Sequence, residues 1–180
     1  MRIIGGKFKA RKIKFNSRLK SRPTTDFARE GLFNVLDGLL DFEGLDFMDC
    51  FSGSSLIGLE AISRGFSDVV AVDVDIWAQR NVLDIIKELD ITNYRFHRAD
   101  VFRFLKKEDY PKTFDVVFAD PPYNFPTTVK LPDLVLEGKW LKPGGLFVLE
   151  HGKDKEFEKD PRFLYSRSFG SVIFSFFKKA

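Results

Sequence analysis

Short apolar runs alternate along the chain with segments whose apolar residues recur at helical spacing. The apolar runs cover residues 45–50, 69–74, 94–99, 114–119 and 146–150. Between two of them, Val82, Ile85, Ile86 and Leu89 stand at the offsets that form one face of a helix. This alternation predicts an α/β fold built on a doubly wound sheet. Ligands of such sheets bind beyond the carboxyl ends of the strands, where the strand order reverses.

Turn and cap residues complete the predicted order of elements. Thr25 or Asp26 is suited to cap a first helix, and Gly5-Gly6 is suited to turn an N-terminal hairpin. The segment 128–138 is predicted to be helical, and a turn at 142–145 is predicted to precede the fifth strand. Two final strands, over 163–168 and 172–177, are predicted around a glycine.

Charge divides the chain into a basic arm and an acidic body. The first 22 residues contain nine of the 29 basic residues and no acidic one, so the other 158 carry 20 basic and 26 acidic groups. We therefore expect an arm over 1–22 and a single domain over 23–180, with the arm contacting nucleic acid. Apolar residues interleave with the charges, which favours a structured flap over a loose tail. The predicted RNA-binding residues are Arg2, Lys7, Lys9, Arg11, Lys12, Arg22, Thr24 and Thr25.

Composition excludes several other classes of protein. One cysteine, Cys50, permits no internal disulfide, and two histidines leave little for a metal centre, so no metal is expected. No run of about 18 apolar residues is present, and no apolar stretch follows the basic N-terminus, so neither a membrane span nor a secretory signal is expected. We expect a cytoplasmic protein and a monomer.

The loop after the first strand is predicted to bind a cofactor. Small residues at Ser52 and Gly53 allow a ligand close to the backbone, and Asp73 follows at the end of the second strand, where a carboxylate can accept from a ribose diol. Asp100 closes the third strand, within reach of an adenine amine. These features fit NAD, S-adenosylmethionine or no ligand. The loop has neither the lysine of a phosphate-binding loop nor the three spaced glycines of a dinucleotide site.

The tetrapeptide Asp120-Pro121-Pro122-Tyr123 after the fourth strand predicts the substrate chemistry. Two prolines fix the backbone. The Asp120 carboxylate and the Pro121 carbonyl can accept both N–H groups of an exocyclic base amine and aim its lone pair at a methyl group. Tyr123 can stack on the base. These four residues are the predicted catalytic set.

The chain as a whole resembles the bacterial small-subunit ribosomal RNA guanine-N2 methyltransferases, which use S-adenosylmethionine. The resemblance lies in motifs that span nearly the whole chain in the same order. They are Met1-Arg-Ile-Ile-Gly-Gly-Lys7, Arg22-Pro-Thr-Thr-Asp26, Arg29-Glu30 with Leu32-Phe-Asn34, Gly58-Leu-Glu-Ala-Ile-Ser-Arg-Gly65, Asp120-Pro-Pro-Tyr123 and Pro143-Gly-Gly-Leu146 leading to Glu150-His151. The Arg-Pro-Thr-Thr-Asp stretch is far more specific than the glycine loop.

The resemblance implies a seven-stranded class I methyltransferase (Rossmann-like) fold with a short N-terminal hairpin. It implies that the target guanine is held by the tetrapeptide and that the substrate is ribosomal RNA or a small ribosomal subunit under assembly. It also implies an S-adenosylmethionine site in which the second-strand acid holds the ribose and the third-strand acid holds the adenine. The predicted cofactor residues are Asp49, Phe51, Ser52, Gly53, Asp73, Val74, Asp100, Val101 and Asp120.

The chain departs from that family's pattern at three positions. Ser55 stands where the loop usually has a second glycine, so the serine either narrows the cleft or adopts a left-handed backbone. Asp73 replaces the commoner glutamate, and Ser171-Val172 follows the late glycine, where an acid and a threonine are common. Two alternatives stay open. One is adenine-N6 methylation of DNA or RNA, and the other is a non-catalytic RNA-binding assembly factor that kept the fold.

Overall fold

One sheet of seven strands organises the protein. A computed structural model describes residues 1–14, 18, 24–122 and 125–180. The strands lie in the order β3-β2-β1-β4-β5-β7-β6, and the order reverses between β1 and β4. The first five strands pair in parallel, whereas β7 runs antiparallel to both β5 and β6. The strands are β1 Asp46–Cys50, β2 Asp68–Asp73, β3 Tyr94–Arg98, β4 Phe114–Ala119, β5 Leu141–His151, β6 Phe163–Phe169 and β7 Val172–Lys178.

Helices cover both faces of the sheet. They are α1 Asp26–Asp37, α2 Leu56–Arg64, α3 Ile76–Glu88, α4 Val101–Phe104 and α5 Leu131–Leu136, with a 3-10 turn over Thr128–Lys130 before α5. Apolar residues of α1, α2 and α3 pack on one face, and those of α4 and α5 pack on the other. Among the described residues, ten of the 12 largest fully buried side chains are phenylalanines, so the core is built largely from aromatic rings.

The helix boundaries follow local sequence signals. The Thr25 hydroxyl accepts the Ala28 N–H at 3.2 Å and caps α1, as predicted. Gly65 ends α2 with a φ of 114°, a conformation that costs glycine little. Pro132 lies in the first turn of α5, where its missing N–H removes no intrahelical bond. The predicted helix over 128–138 is therefore present, divided into the 3-10 turn and a shorter α-helix.

Two local predictions differ from the structure. The segment 142–145 is part of β5 rather than a turn before it, because Leu141 already pairs with Phe114. The register between β4 and β5 shifts within this segment, where Gly144 has a φ of 76°. At the N-terminus, Arg2 and Lys12 form one antiparallel bridge, so a hairpin is present. Its connection runs through residues 4–10 rather than through a tight turn at Gly5-Gly6.

Residues 1–14, the N-terminal flap, pack against the body. Ile3 and Ile13 are buried in the core beside α1 and α2, while every described basic residue of the flap is exposed. The two glycines serve a close approach to α2, since a Cβ added at Gly6 would lie 1.7 Å from the Ser63 carbonyl oxygen. The flap is therefore structured, as its interleaved apolar residues predict.

Candidate functional site

Strand register brings four acidic residues to one face and one edge of the sheet. Side chains alternate between faces along a strand, and Phe47, Val69, Val116 and Val148 all belong to the core on the α1–α2 face. The acids that lie an even number of residues further along these strands therefore point to the same face. They are Asp49 on β1, Asp73 on β2, Asp120 just after β4 and Glu150 on β5. The predicted cofactor acids and the predicted catalytic acid thus share one edge of the sheet.

A cleft opens beside the switch between β1 and β4. Five of the predicted cofactor residues line it, and so does Thr24, which was predicted to bind RNA. The lining residues are Thr24, Asp49, Phe51, Ser52, Gly53, Ser54, Leu56, Ile57, Phe118 and Asp120. The structure therefore brings the first-strand loop and the first residue of the tetrapeptide to one cavity.

Asp73 fixes the loop after β1 to the end of β2. One oxygen of its carboxylate accepts the Gly53 N–H at 2.8 Å, and the other accepts the Asp75 N–H at 2.9 Å. The loop is bound to β2 a second time, because the Ser52 N–H donates to the Val72 carbonyl at 3.2 Å. The half-buried Asp73 carboxylate is thereby held at the rim of the cleft, oriented before any ligand binds.

Ser52 carries a polar atom that suits a ligand. The residue is 9% exposed and lines the cleft, yet its hydroxyl has no hydrogen-bond partner among the described residues. A buried hydroxyl without a partner costs free energy, so a ligand that bonds to it would recover that cost.

Asp49 is a buried carboxylate at the floor of the cleft. It is 1% exposed and accepts the Gly58 N–H of α2 at 3.0 Å. Burial raises the pKa of Asp49 to about 8, and the nearby Asp73 charge adds to this effect, while the Gly58 hydrogen bond opposes it. A cation placed in the cleft would lower that pKa again, so Asp49 is suited to an ammonium group.

Ser55 adopts the left-handed backbone and does not narrow the cleft. Its φ and ψ are 59° and 19°, and its side chain is fully buried at the start of α2, away from the cleft-lining atoms. The Ser55 N–H donates to the Ser52 carbonyl at 2.6 Å, which closes the loop. The departure from a glycine therefore strains the backbone and leaves the space for a ligand unchanged.

The end of the site nearest β2 and β3 has an apolar rim. Val74 is 63% exposed, and the rings of Phe51 and Phe102 pack edge to face with their centroids 5.8 Å apart. Asp100 caps α4 by accepting the Arg103 N–H at 2.8 Å, and Val101 is buried beneath it. Sequence reasoning missed Phe102, because nothing in the pattern separates it from a helix residue of the core.

Backbone hydrogen bonds hold the described residues of the tetrapeptide, 120–122. The Asp120 N–H donates to the Cys50 carbonyl at 3.3 Å, and the Pro122 carbonyl accepts the Phe125 N–H at 2.9 Å. Pro121 is buried and Pro122 is exposed, while Tyr123 lies outside the described residues. Burial raises the pKa of Asp120 well above its ordinary value, and the charges of Glu150 and Asp49 raise it further.

Glu150 is an acid of the site that sequence reasoning named only within a motif. It is 3% exposed, and the Thr24 hydroxyl donates to one of its carboxylate oxygens at 3.5 Å. Phe118 pairs with Val148, so Glu150 lies beside Asp120 on the neighbouring strand. The alternation of an apolar strand could have indicated it, because Glu150 interrupts the run on the core face.

A buried carboxylate of α2 holds the N-terminal flap. Both oxygens of Glu60, which is fully buried, accept flap N–H groups, from Ile4 at 2.8 Å and from Gly5 at 2.7 Å. The buried Arg29 guanidinium donates to the Arg2 carbonyl at 2.7 Å and to the Thr24 carbonyl at 3.2 Å. The flap, α1 and the rim of the cleft are thereby bound to one another.

The structure separates the predicted RNA-binding residues into three groups. Arg2, Lys7, Lys9, Arg11 and Lys12 are exposed on the flap, and two of them form exposed ion pairs, Arg2 with Asp26 and Arg11 with Glu88. Thr24 and Thr25 lie instead at the cleft and at the cap of α1. Arg22 lies outside the described residues.

Across residues 1–14, 18, 24–122 and 125–180, no group of three or more histidine, cysteine or acidic side chains is arranged to hold a metal ion. No helix in that part of the chain is long and apolar enough to cross a membrane.

The sheet order, its reversed last strand and the position of the cleft define the class I methyltransferase fold. A family model described as "Conserved hypothetical protein 95" matches residues 1–178, and the chain belongs to this family. The chain is 34% identical to the ribosomal RNA small subunit methyltransferase D of Haemophilus influenzae over 161 residues, which cover 86% of this chain and 80% of that protein.

Solved structures agree with this assignment of the fold. The hypothetical protein TTHA0928 of Thermus thermophilus superposes with a TM-score of 0.85 at 29% identity, covering 100% of this chain and 99% of that one. A 16S rRNA N2 G1207 methyltransferase of T. thermophilus, in complex with AdoMet and guanosine, superposes with a TM-score of 0.70 at 19% identity, covering 89% of this chain and 45% of that one. The predicted fold class is confirmed.

Proposed function

We propose that this protein transfers a methyl group from S-adenosylmethionine to the exocyclic N2 amine of a guanine in small-subunit ribosomal RNA. One observation carries the proposal: Asp120, which follows β4 and directly precedes Pro121, lines the same cleft as Asp49 and the Ser52–Gly53 loop. A relative at 34% identity is named ribosomal RNA small subunit methyltransferase D, which supports the substrate.

The residues of the cleft fit S-adenosylmethionine. Asp49 and the unpartnered Ser52 hydroxyl suit the ammonium and carboxylate of the methionine end, and the oriented Asp73 carboxylate suits the ribose diol. Phe51, Val74, Asp100 and Val101 would surround the adenine, with the apolar rim against its face. When bound, this cofactor supplies a methyl group that a sulfonium makes electrophilic.

The chain's own residues prepare the amine. The lone pair of an exocyclic amine is delocalised into the base, so the nitrogen is planar and weakly nucleophilic. Acceptance of its two N–H groups by Asp120 and by the Pro121 carbonyl bends the nitrogen and directs its lone pair at the methyl carbon. Much of the acceleration comes from holding both reactants in one orientation. The amine proton released on transfer passes to Asp120 or to water.

The RNA is held by charge and reaches the cleft as an unpaired base. The exposed cations of the flap would contact phosphates, each adding affinity that depends on salt and not on sequence. A base must leave its stack in the RNA to enter a pocket of this kind. Tyr123, which follows the two prolines in the sequence, would stack on that base. The flap and the catalytic turn then bind two parts of one RNA.

Transfer of labelled methyl to naked ribosomal RNA, to partly assembled subunits and to DNA, followed by nucleoside analysis, tests the proposal. We expect label in N2-methylguanosine alone. Asp120→Asn should lower turnover by about 100-fold or more, since an amide oxygen is a weaker acceptor for the reacting amine and cannot take up its proton, while cofactor affinity changes little. Asp41→Asn, in an exposed loop at the opposite edge of the sheet, is the matched control. Label in N6-methyladenosine would replace this proposal with adenine methylation, and no label on any substrate would favour the non-catalytic assembly factor.

A further inference from the structure

Glu150 lies at the position from which the second hydrogen-bonding group of a target base would be recognised. Glu150 and Asp120 follow a paired position, Phe118 with Val148, on neighbouring parallel strands, and they point to the same face. Neighbouring strands are about 4.8 Å apart. The N1–H and N2–H donors of a guanine lie side by side on its Watson–Crick edge, closer together than two strands. A base whose N2 amine meets Asp120 can therefore present N1–H to Glu150 if the two side chains converge on that edge.

The two purines differ at N1 in a manner that a carboxylate detects. Guanine carries a hydrogen on N1 and donates there, whereas N1 of adenine accepts. A buried carboxylate is only an acceptor when ionised, so it attracts the first and repels the second. We propose that Glu150 is a specificity-determining residue that selects guanine by accepting its N1–H; this rests on the proposed function.

The surroundings of Glu150 suit this role. The carboxylate is 3% exposed, so its hydrogen bonds form away from water, where each one discriminates more strongly. Thr24, which lines the cleft, donates to one of its oxygens at 3.5 Å, so the carboxylate lies next to a cleft residue. The arrangement extends the recognition of the amine by Asp120 to a second atom of the same base.

Substitution of the base at the target position separates recognition from general damage. 2-Aminopurine keeps the N2 amine of guanine but has an unprotonated N1 that accepts. The methylated position is first mapped with the wild-type protein, and RNAs with guanine or 2-aminopurine at that position are then made by splinted ligation. The measurement is kcat/KM for each RNA with the wild type, Glu150→Gln and Glu150→Asp.

We expect the wild type to prefer guanine by about 10–100-fold, the discrimination typical of a good hydrogen-bonding pair with a base. Glu150→Gln places an amide that can donate to the unprotonated N1 of 2-aminopurine. The ratio of kcat/KM for guanine to that for 2-aminopurine should therefore fall to within a few-fold of unity, mainly because kcat/KM for 2-aminopurine rises relative to that for guanine. Glu150→Asp keeps the carboxylate and should keep most of the preference. Glu43→Gln, exposed at the opposite edge of the sheet, is the matched control and should keep all of it.

The outcomes distinguish the inference from the proposed function. If Glu150→Gln lowers both rates by one factor and leaves the preference intact, Glu150 only supports the fold, and the inference is wrong while the proposed function stands. A wild type that does not discriminate between the two RNAs also overturns the inference. If the wild type methylates no guanine in the mapping step, the proposed function fails before the inference is reached. Should Glu150→Gln not fold, Glu150→Ala replaces it, because alanine removes the carboxylate without adding a donor. Loss of the preference in Glu150→Ala, with normal cofactor binding, decides in favour of the inference, and an unchanged preference decides against it.

Discussion

Ser55 offers a test of the backbone geometry that is independent of any activity. Its left-handed conformation, with a φ of 59°, costs a residue with a Cβ roughly 1–2 kcal/mol. Ser55→Gly removes that cost. The substitution loses only a poorly aligned contact between the Ser55 and Tyr94 hydroxyls, because neither hydroxyl has a hydrogen-bond partner of good geometry among the described residues. Glycine also gains freedom in the unfolded chain, which lowers stability by about 0.4–1 kcal/mol. The net expectation is a free energy of unfolding that is higher by about 0.5–1 kcal/mol.

The neighbouring serine provides the control. Ser54 is equally buried, at 7% exposed, but it is not among the residues with positive φ. Ser54→Gly therefore gains nothing from relief of strain and should lower the free energy of unfolding by about 0.4–1 kcal/mol. In thermal unfolding, the Tm should rise by about 2–4 °C for Ser55→Gly and fall by a similar amount for Ser54→Gly.

The measurement is urea unfolding of both variants and the wild type, followed by tryptophan fluorescence, with thermal unfolding as a second probe. Equal destabilisation by the two substitutions would refute the reasoning, because it would mean that Ser55 is unstrained. Cofactor affinity of Ser55→Gly should stay within about twofold of the wild type, since the residue does not line the cleft.

Three other predictions follow from the site and the flap. At pH 7, a pKa of about 8 leaves Asp49 about 0.9 protonated, and the ammonium of bound S-adenosylmethionine should lower that pKa and release up to about 0.9 proton. Calorimetry in two buffers of different ionisation enthalpy measures this proton release. Asp49→Asn should abolish the difference in binding enthalpy between the two buffers. Gly6→Ala should cost about 1–3 kcal/mol more in urea unfolding than Gly44→Ala, since both have positive φ but only Gly6 meets a carbonyl oxygen, and equal costs would contradict the close approach. Glutamine at the three lysines within 7–12 should reduce the slope of log K against log salt for RNA binding by up to about 2, and an unchanged slope would remove the flap from the interface.

Much of the fold could be predicted because its signals are local. Helical spacing, caps and short apolar strands gave the order of the elements, and the rule that ligands bind at the carboxyl ends of strands placed Asp49, Asp73 and Asp120 at one edge. The extension of β5 through 142–145 could not be predicted, because the two glycines indicate a turn locally. Only the folded chain shows that Leu141 and Leu146, on either side of them, both pair with β4.

The missing parts of the site depend on contacts between distant residues. Glu60 reads as one polar residue of an amphipathic helix, and only the folded chain shows that its carboxylate accepts from the flap more than 50 residues away. Thr24 reads as part of an exposed basic segment, yet α1 places it at the rim of the cleft. Long-range pairing of this kind leaves no periodic trace in the sequence.

The attachment of the flap has a consequence for how this protein can diverge. Glu60 accepts hydrogen bonds from the backbone N–H groups of Ile4 and Gly5, so this attachment does not depend on the side chains that project from the flap. Exposed basic residues of the flap can then be exchanged, added or lost without moving the flap backbone. Natural variants of this chain can therefore change the surface charge of the flap one residue at a time, whereas loss of the Glu60 carboxylate would remove two hydrogen bonds that hold the flap in place.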